Sequence, residues 1–151
     1  MVNKISRDAP LSEITLRRYE KPYQSTKREM VRKLCLSIGL LQPGDSRDVI
    51  VDIFQVLIKN KRKKVWLNSE EIRTEVIATR TQNKIPLIGV APSNIRRQIK
   101  RLRDIMLVEN INNNYRIKEF EDLSIIFEKQ IKGFYLTNIL ERVEDYFREI
   151  K

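Results

Sequence analysis

A strongly amphipathic helix pattern in residues 91–106 is the feature that most constrains what this chain can fold into. Pro92 suits a first helical position, because the N–H that it lacks has no helical partner there. Apolar residues then recur at spacings of four, three and four, as one stripe of an α-helix requires: Ile95, Ile99, Leu102 and Met106. From Pro92 to Arg103 there are five basic residues and no acidic one. The pattern predicts a helix over 92–106 with one apolar and one cationic side.

The residues that follow this helix have the alternation of a β-hairpin. The segment from Met106 to Ile111 changes towards a period of two, and the segment from Tyr115 to Lys118 alternates again. Between them stand three asparagines, 112–114, and asparagine tolerates the left-handed backbone angles that tight turns need. We therefore predict a hairpin over 107–118, directly after the cationic helix.

The residues upstream supply a helix, a short strand and a second helix. A broad apolar face predicts a helix that starts at Asp45 or Ser46. The run 65–67 fits a short strand. Asn68 followed by Glu71 is close to a capping box and opens the next helix. The predicted order is therefore helix, strand, helix, link, cationic helix and hairpin.

Two segments around these elements have no regular pattern. The link from Thr81 to Ala91 is longer than the turn of a plain helix-turn-helix, and Pro86 and Gly89 keep it non-helical. Its apolar side chains need cover from the rest of the fold: Ile85, Leu87, Ile88 and Val90. The run 59–64 places five cations in six residues, and we expect a solvated loop that can contact a phosphate backbone.

Residues 1–44 combine a basic arm with a helix. We predict a short strand over 14–19 within an arm whose cations suit contact with phosphate groups: Lys4, Arg7, Arg17, Arg18 and Lys21. The alternative is a partly ordered terminus that packs Ile14, Leu16 and Tyr19 on the core. A helix follows, capped by Ser25 or Thr26 and continuing through Ile38. Cys35 lies on its apolar stripe, which predicts a packed thiol and not a nucleophile.

The charge of the chain is unevenly distributed. Residues 1–118 contain 25 basic and 12 acidic residues, a balance of +13, whereas residues 119–151 contain 5 and 8, a balance of −3. A basic body indicates a polyanionic partner, although ribosomal and membrane-surface proteins share this property. A single cysteine cannot form an intrachain disulfide, and no apolar run approaches the ~20 residues of a membrane span. We expect a cytoplasmic, nucleoid-associated protein.

Residues 119–151 carry two apolar stripes at helical spacing, with Gly133 between them as a possible kink or break. The second stripe repeats at four, three, four and three, the pattern of a helix pairing seam. We predict a helical extension that forms a homodimer through eight apolar residues: Leu123, Phe127, Ile131, Phe134, Leu136, Leu140, Val143 and Phe147. The alternative is that these helices pack on their own domain, against residues 26–38.

The order of elements and the pattern I-R-R-Q-I-K-R-L-R-D-I-M-L-V-E-N…N-Y-R-I resemble the winged helix-turn-helix superfamily, particularly its small archaeal-type transcription regulators. The resemblance covers roughly residues 45–118. It implies a mostly α fold with a small β-wing, built as an N-terminal arm and helix (1–44), a winged helix-turn-helix domain (45–118) and a C-terminal helical extension (119–151). The helix 92–106 would then enter the major groove of double-stranded DNA, with the wing 107–118 on the backbone.

In this arrangement the residues of the cationic helix and wing take different roles. Four would lie near base edges: Ser93, Asn94, Arg97 and Arg101. Six would neutralise phosphates: Arg96, Lys100, Lys63, Lys64, Arg116 and Lys118. Asn113, at the tip of the wing, would touch the backbone or the minor groove. No histidine, one cysteine and no phosphate-binding loop leave no cofactor, metal site or catalytic group to assign, and we expect no enzyme.

The expected function is that of a dimeric regulator of transcription that binds double-stranded DNA, without an evident small-molecule effector. The alternative is a winged-helix module for protein–protein assembly in a transcription, replication or chromosome-organisation complex, which the apolar link 81–91 and the C-terminal helices favour. RNA binding is a third class. It would favour exposed aromatic residues for stacking, and aromatic residues make up only 7% of the chain.

Overall fold

A computed structural model describes residues 7–151 as a mostly helical chain with one small antiparallel sheet. The elements in order are α1 (Lys27–Ser37), α2 (Val49–Lys63), β1 (Leu67–Asn68), α3 (Ser69–Gln82), α4 (Pro92–Asp104), β2 (Val108–Ile111), β3 (Asn114–Ile117), a 3-10 turn (Lys118–Phe120), α5 (Leu123–Ile126), a π-helical segment (Phe127–Leu136) and α6 (Thr137–Glu149). Lys4, assigned to the basic arm, lies outside the described residues. Among the helices of residues 7–151, none is both long and apolar enough to cross a membrane.

Helix α2 forms the centre of the body. It packs against α1, α3, α4 and β3, so it is apolar on nearly every side and buries most of its length. Its neighbours contribute one stripe each, including Ile72 and Val76 from α3 and Ile99 from α4. Burial of such side chains stabilises the fold by about 1.5–3 kcal/mol apiece. The predicted amphipathic helices therefore meet in a single core.

The sheet has the strand order β1-β3-β2, and its hairpin confirms the prediction for residues 107–118. Val108 pairs with Ile117 across the hairpin, and Leu67 of β1 pairs with Tyr115 on the other side of β3. Asn112 and Asn113 both have positive φ, 51° and 63°. A two-residue hairpin turn of this kind needs positive φ at both positions, which asparagine accepts at little cost.

The helix caps follow the sequence signals. The Asn68 side chain accepts a hydrogen bond from the Glu71 amide at 2.8 Å, and the Glu71 carboxylate accepts one from the Asn68 amide at 3.0 Å. This reciprocal pair is the capping box that the sequence predicted for α3. Thr26 caps α1 through its hydroxyl, which accepts from the Glu29 amide at 3.2 Å.

The ends of α2 and α4 differ from the predictions. Helix α2 starts at Val49, not at Asp45 or Ser46, and it continues through Lys63, so most of the basic run 59–64 is helix and not loop. Lysine and arginine are good helix formers, and cations near a helix C-terminus complement its dipole. Helix α4 ends at Asp104, because Met106 has a left-handed φ of 66° and turns the chain towards the hairpin.

The segment before α1 is not the predicted strand. Over residues 14–19, one backbone bond joins it to α1, from the Arg17 amide to the Ser37 carbonyl at 2.8 Å. The Arg17 guanidinium donates to the carbonyls of Leu36 (2.8 Å) and Leu41 (3.1 Å). Arg17, predicted as a cation of the arm, thus binds one carbonyl in the last turn of α1 and one in the connector that follows this helix.

Four charged side chains lie between α1, α2 and α3, a cluster that the sequence did not predict. Asp52 is fully buried and accepts from Arg28 at 3.0 Å and from Arg80. Asp48, the residue before α2, accepts from the same two arginines at 3.0 and 3.3 Å. Asp48 makes no side-chain capping bond at the start of α2, because its carboxylate is engaged in these ion pairs.

Cys35 is completely buried in the core, as its place on an apolar stripe predicted. Burial raises the pKa of the Cys35 thiol to about 12, because the thiolate would lose its hydration. The packed thiol of the sequence prediction is confirmed.

The chain from Leu123 to Glu149 is one continuous helix, without the predicted break at Gly133. Phe127 and Thr137, at the two junctions, have right-handed helical angles. The middle of the helix widens to the π form, and a Cβ on Gly133 would lie 2.8 Å from the Glu128 carbonyl oxygen. Glycine therefore permits the wide turn instead of ending the helix.

Candidate nucleic-acid interface

Helix α4 has a cationic face on its outer side. The buried apolar face of the same helix fixes the orientation of this cationic face. Ile95, Ile99 and Leu102 are fully buried against the core. The residues on the outer side are exposed, and they include five of polar or basic type: Ser93, Arg96, Arg97, Lys100 and Arg103. Because a helix cannot rotate without exposing its apolar stripe, the basic side chains are held towards solvent.

Most of these cations keep their charge available to a partner. Within residues 7–151, the side chains of Arg96, Arg97 and Arg103 form neither a hydrogen bond nor an ion pair. Lys100 pairs with Asp104 at 3.1 Å, and both side chains are largely exposed. An exposed pair of this kind is worth about 0.3–0.5 kcal/mol, so a phosphate could displace the carboxylate readily.

Asn94, predicted to read a base, is engaged within the protein. Its side-chain amide donates to the Gly89 carbonyl at 2.7 Å, and its oxygen accepts from Gln98 at 3.1 Å. Gln98 in turn accepts from Arg101 at 2.8 Å, so a polar ladder runs along this side of α4. Asn94 fixes the link against the helix, and contact with a base would require it to release one of these bonds.

The link 81–91 is held mainly by polar bonds from α3. Arg80 donates to the Pro86 carbonyl at 2.9 Å, and Arg73 donates to the Val90 carbonyl at 2.6 Å. Leu87 and Ile88, expected to need cover, are about half exposed. Two arginines of one helix thus determine where the link delivers the chain to the start of α4.

A cleft of about 490 Å³ lies between the start of α2, the link and α4. It brings Arg97 and Arg101 together with Arg47, which the sequence analysis did not assign to the site. Arg47 is exposed, but it lies between Asp45 and Asp48 in sequence, so its segment looked electrically balanced. The ion pairs with Arg28 and Arg80 engage Asp48, so among residues 7–151 Asp45 is the one carboxylate that lines this cleft against three arginines.

A second, shallower cleft of about 330 Å³ joins α4 to the hairpin. Its walls include Lys100 and Lys118, two predicted phosphate contacts from separate elements, and also Arg103. Asp104 and Glu109 add two carboxylates to the same walls. The structure thus brings the base of the wing and the last turn of α4 to one surface.

Arg116, predicted to contact phosphate, is enclosed by its own domain. Its guanidinium carbon lies 4.2 Å from the ring centre of Trp66 and 4.6 Å from that of Phe120, and its Nε donates to Glu109 at 2.7 Å. Burial raises the pKa of the Glu109 carboxyl, but bonds from the Glu119 amide and Arg116 outweigh it and lower the pKa overall. Arg116 therefore stabilises the hairpin as a cation between two aromatic rings.

Three predicted contacts lie both outside the two clefts and away from α4. Lys63 is the last residue of α2, and Lys64 follows it with a left-handed φ of 55°. Both are exposed, as is Asn113 at the tip of the hairpin. Lys63 and Lys64 precede β1, which lies at the opposite edge of the sheet from β2, so they form a separate basic patch.

The eight predicted dimerisation residues fall into two groups. Ile131 is buried in the body, and Leu123 is half-buried against the core. Leu136 is half-exposed, and the other five are exposed: Phe127, Phe134, Leu140, Val143 and Phe147. The start of the C-terminal helix therefore packs on its own body, while every residue from 140 to 151 is exposed.

Comparisons with models of protein families, with curated proteins and with solved structures found no match to this chain. The functional interpretation therefore depends on the geometry and charge of the two clefts and of α4.

Proposed function

We propose that this protein is a regulator of transcription that binds double-stranded DNA, with the architecture of a winged helix-turn-helix. Helix α4 enters the major groove, and the hairpin of β2 and β3 lies on the adjacent backbone. The chain acts as a homodimer through its C-terminal helices. Two copies would place two α4 helices on successive turns of one face of the duplex, as two-fold symmetric regulators require.

The observation that carries this proposal is the charge of α4. The helix contains five cations and one acid, and three of its arginines have no partner within residues 7–151. The first turn contains no acidic residue, although acids there would stabilise an isolated helix. A face with five cations and a single acid at its last residue, on a helix fixed by its buried stripe, favours a polyanionic ligand.

The geometry divides the contacts into two kinds. Arg97 and Arg101 border the cleft that also contains Arg47, and a bidentate arginine is the most common specific contact to guanine. Arg103, Lys100 and Lys118 border the cleft between α4 and the hairpin, where they suit a phosphate backbone. Recognition of the base sequence would therefore come from the start and middle of α4. The end of α4 and the wing would position the protein on the DNA backbone.

The test is binding to random duplex DNA across a salt series of about 50 to 200 mM, because counterion release makes such binding steeply dependent on salt. Wild type is compared with Arg97→Ala and with Lys129→Ala. Both variants lose one exposed cation, but Lys129 lies on the C-terminal helix. We expect Arg97→Ala to weaken binding to random duplexes and to lower its dependence on salt, while Lys129→Ala stays close to wild type. The loss should reach roughly 1–3 kcal/mol, or about 5- to 150-fold, at a duplex that contains the preferred base.

Two results would contradict the proposal. Equal effects of the two substitutions would mean that a diffuse positive surface binds DNA and that α4 does not dock. Absence of binding at the lowest salt concentration would exclude the regulator and favour a protein partner.

A second candidate function is that of a winged-helix module in a protein assembly. The observation that favours it is the exposure of Leu87 and Ile88 on the link, beside the start of α4. Exposed apolar side chains next to a basic surface suit a partner with an acidic and apolar face. Leu87 lies outside the cleft that contains Arg97 and Arg101. Leu87→Ser should therefore leave DNA binding unchanged if the first proposal is correct and weaken partner capture if the second is.

A further inference from the structure

The last helix of the chain carries a large apolar face that the body does not cover. From the residue before α6 to its end, six apolar residues repeat at heptad positions a, d and g: Leu136, Ile139, Leu140, Val143, Tyr146 and Phe147. Ile150, the next position of the pattern, directly follows the helix in extended conformation. Phe147 is 78% exposed and Ile150 is 80% exposed. A contiguous face of this kind is rare on an isolated soluble chain and indicates an interface.

The width of this face limits what can cover it. A two-stranded coiled coil needs a narrow seam of a and d positions, with charged residues at e and g. Here the g positions are Ile139 and Tyr146, which broaden the stripe to three residues in seven. Such a stripe is typical of a helix that lies between two others. If only one other α6 helix packed against this stripe, part of the stripe would remain exposed.

The body contains a groove with two helical walls. It has a volume of about 920 Å³ and lies between residues 19–25, α1 and α2, with Leu123 at its edge. Its lining is largely apolar and includes Tyr23, Met30, Val31, Leu34, Val56 and Ile58. Gln55 Oε1 lies in its wall, is inaccessible to water and accepts no hydrogen bond within residues 7–151. Native proteins rarely leave a buried side-chain oxygen without a hydrogen bond, so the wall of the groove lacks a donor for Gln55 Oε1.

The charges of helix and groove are opposite in sign. Among the groove residues that form no ion pair within residues 7–151, cations outnumber acids: the cations are Lys21, Lys27, Lys59 and Arg62, and the acids are Glu29 and Glu75. Helix α6 has four acids and two arginines, and the arginines pair within the helix with Glu144 and Asp145. Glu141 and Glu149 remain free among the described residues. A basic rim favours an acidic amphipathic helix over a neutral or basic one.

We propose that α6 of a second copy lies in this groove, and that the exchange is reciprocal. Each chain would insert its α6 between the α1 and α2 helices of the other. The chain's own α6 cannot occupy the groove without a break, because Leu123–Glu149 is continuous and every residue after 139 is exposed. This proposal rests on the homodimer of the proposed function, but not on DNA binding.

The dimensions agree with this occupant. Helix α6 has 13 residues and a length of about 20 Å, and α1, one wall of the groove, has 11 residues and a length of about 16 Å. Aromatic side chains bury 150–250 Å² each, so Tyr146 and Phe147 of two copies would contribute on the order of 600 Å². A stable interface exceeds roughly 1,000 Å². The aliphatic residues of both helices would supply the remainder.

Sedimentation equilibrium without DNA tests the exchange. Met30→Glu places a charge in the groove and Phe147→Glu places one on α6, and both sites are exposed, so the far-UV circular dichroism of each variant should stay close to wild type. We expect wild type to be dimeric and each variant alone to be monomeric. An equimolar mixture should recover heterodimers, because it retains one intact groove and one intact helix. Asn138→Glu, on the polar side of α6, is the matched control and should remain dimeric.

Cysteine mapping adds a positional readout. Chains with Met30→Cys, mixed with chains with Phe147→Cys and oxidised, should form a disulfide between unlike chains, with buried Cys35 as an unreactive background. A Met30→Glu variant that stays dimeric, or disulfides that join two copies of position 147, would overturn the groove in favour of paired α6 helices. A monomeric wild type would overturn the exchange outright. Each result is independent of whether the chain binds DNA.

Discussion

Arg80 on α3 and Asp52 on α2 form an ion pair that is almost fully removed from solvent, with side chains 2% and 0% exposed. The same guanidinium donates to the Pro86 carbonyl in the link, and the same carboxylate accepts from Arg28 of α1 at 3.0 Å. One buried contact therefore joins three helices to the segment that leads into α4. The position of the cationic face depends on this cluster as well as on the apolar core.

Removal of Arg80 should be severely destabilising. Arg80→Ala leaves the buried Asp52 carboxylate with Arg28 alone and also frees the Pro86 carbonyl, and breaking a buried pair from one side typically costs about 3–5 kcal/mol. Urea denaturation measures the loss in the free energy of unfolding. Arg28→Ala is the matched control and should cost less, because its side chain is 19% exposed and solvent can replace part of its contacts.

The double variant Arg80→Met with Asp52→Leu separates charge from packing. If the penalty of the single variants comes from an unpaired buried charge, removal of both partners should restore much of the stability. If the double variant were less stable than Arg80→Ala, the stability would come from the hydrogen bonds of the cluster. The penalty in Arg80→Ala would then not come from an unpaired buried charge.

The stability of the fold should fall in acid partly through Asp48. Burial raises the pKa of this carboxyl, but the bonds and charges of Arg28 and Arg80 outweigh it and hold the pKa below the ordinary 3.8. A depressed folded-state pKa contributes stability that is complete above pH 3.8 and is lost as the pH falls through the lower folded value. Urea midpoints measured from pH 6 downwards should show this decline, and Asp48→Asn should flatten it.

The features that the sequence predicted are those set by local periodicity and by caps. The stripe of Ile95, Ile99 and Leu102 fixed which side of α4 is buried, and the paired asparagines placed the turn of the hairpin within one residue. Both signals act over a few positions of the chain. The continuous helix through Gly133 escaped prediction because glycine is compatible with a break and with a π turn alike.

Side-chain partners distant in sequence could not be predicted in this way. In the sequence, Arg116 is one more cation of the wing. Its partner Trp66 lies 50 positions upstream, and the two side chains meet only because β1 pairs with β3. Asp52 reads as a polar interruption in an apolar helix, and its partners Arg28 and Arg80 are 24 and 28 residues away. Such pairs depend on the packing of the helices, which single-chain periodicity does not contain.

Two glycines provide a test of how closely the amino-terminal segment packs. Gly39 and Gly44 have nearly the same left-handed φ, 75° and 78°, but a Cβ on Gly39 would lie 2.6 Å from the Cβ of Thr15, whereas one on Gly44 would meet nothing. Alanine at either position costs about 1–2 kcal/mol for the backbone. Gly39→Ala should lose a further 1–3 kcal/mol or so through overcrowding. Equal melting temperatures of the two variants would mean that residues 14–19 do not lie on α1.

Arg116 and Arg97 should give opposite results when each is replaced by alanine. Arg116 lies between Trp66 and Phe120 and pairs with Glu109, so Arg116→Ala should destabilise the fold by about 1–2 kcal/mol. Because Trp66 is the only tryptophan, the loss of the guanidinium from its ring should also shift the tryptophan emission. Arg97 is exposed and without a partner within residues 7–151, so Arg97→Ala should change neither stability nor emission and should act on ligand binding alone. If Arg116→Ala left both properties unchanged and weakened DNA binding, Arg116 would be a phosphate contact, as its position in the wing first suggested.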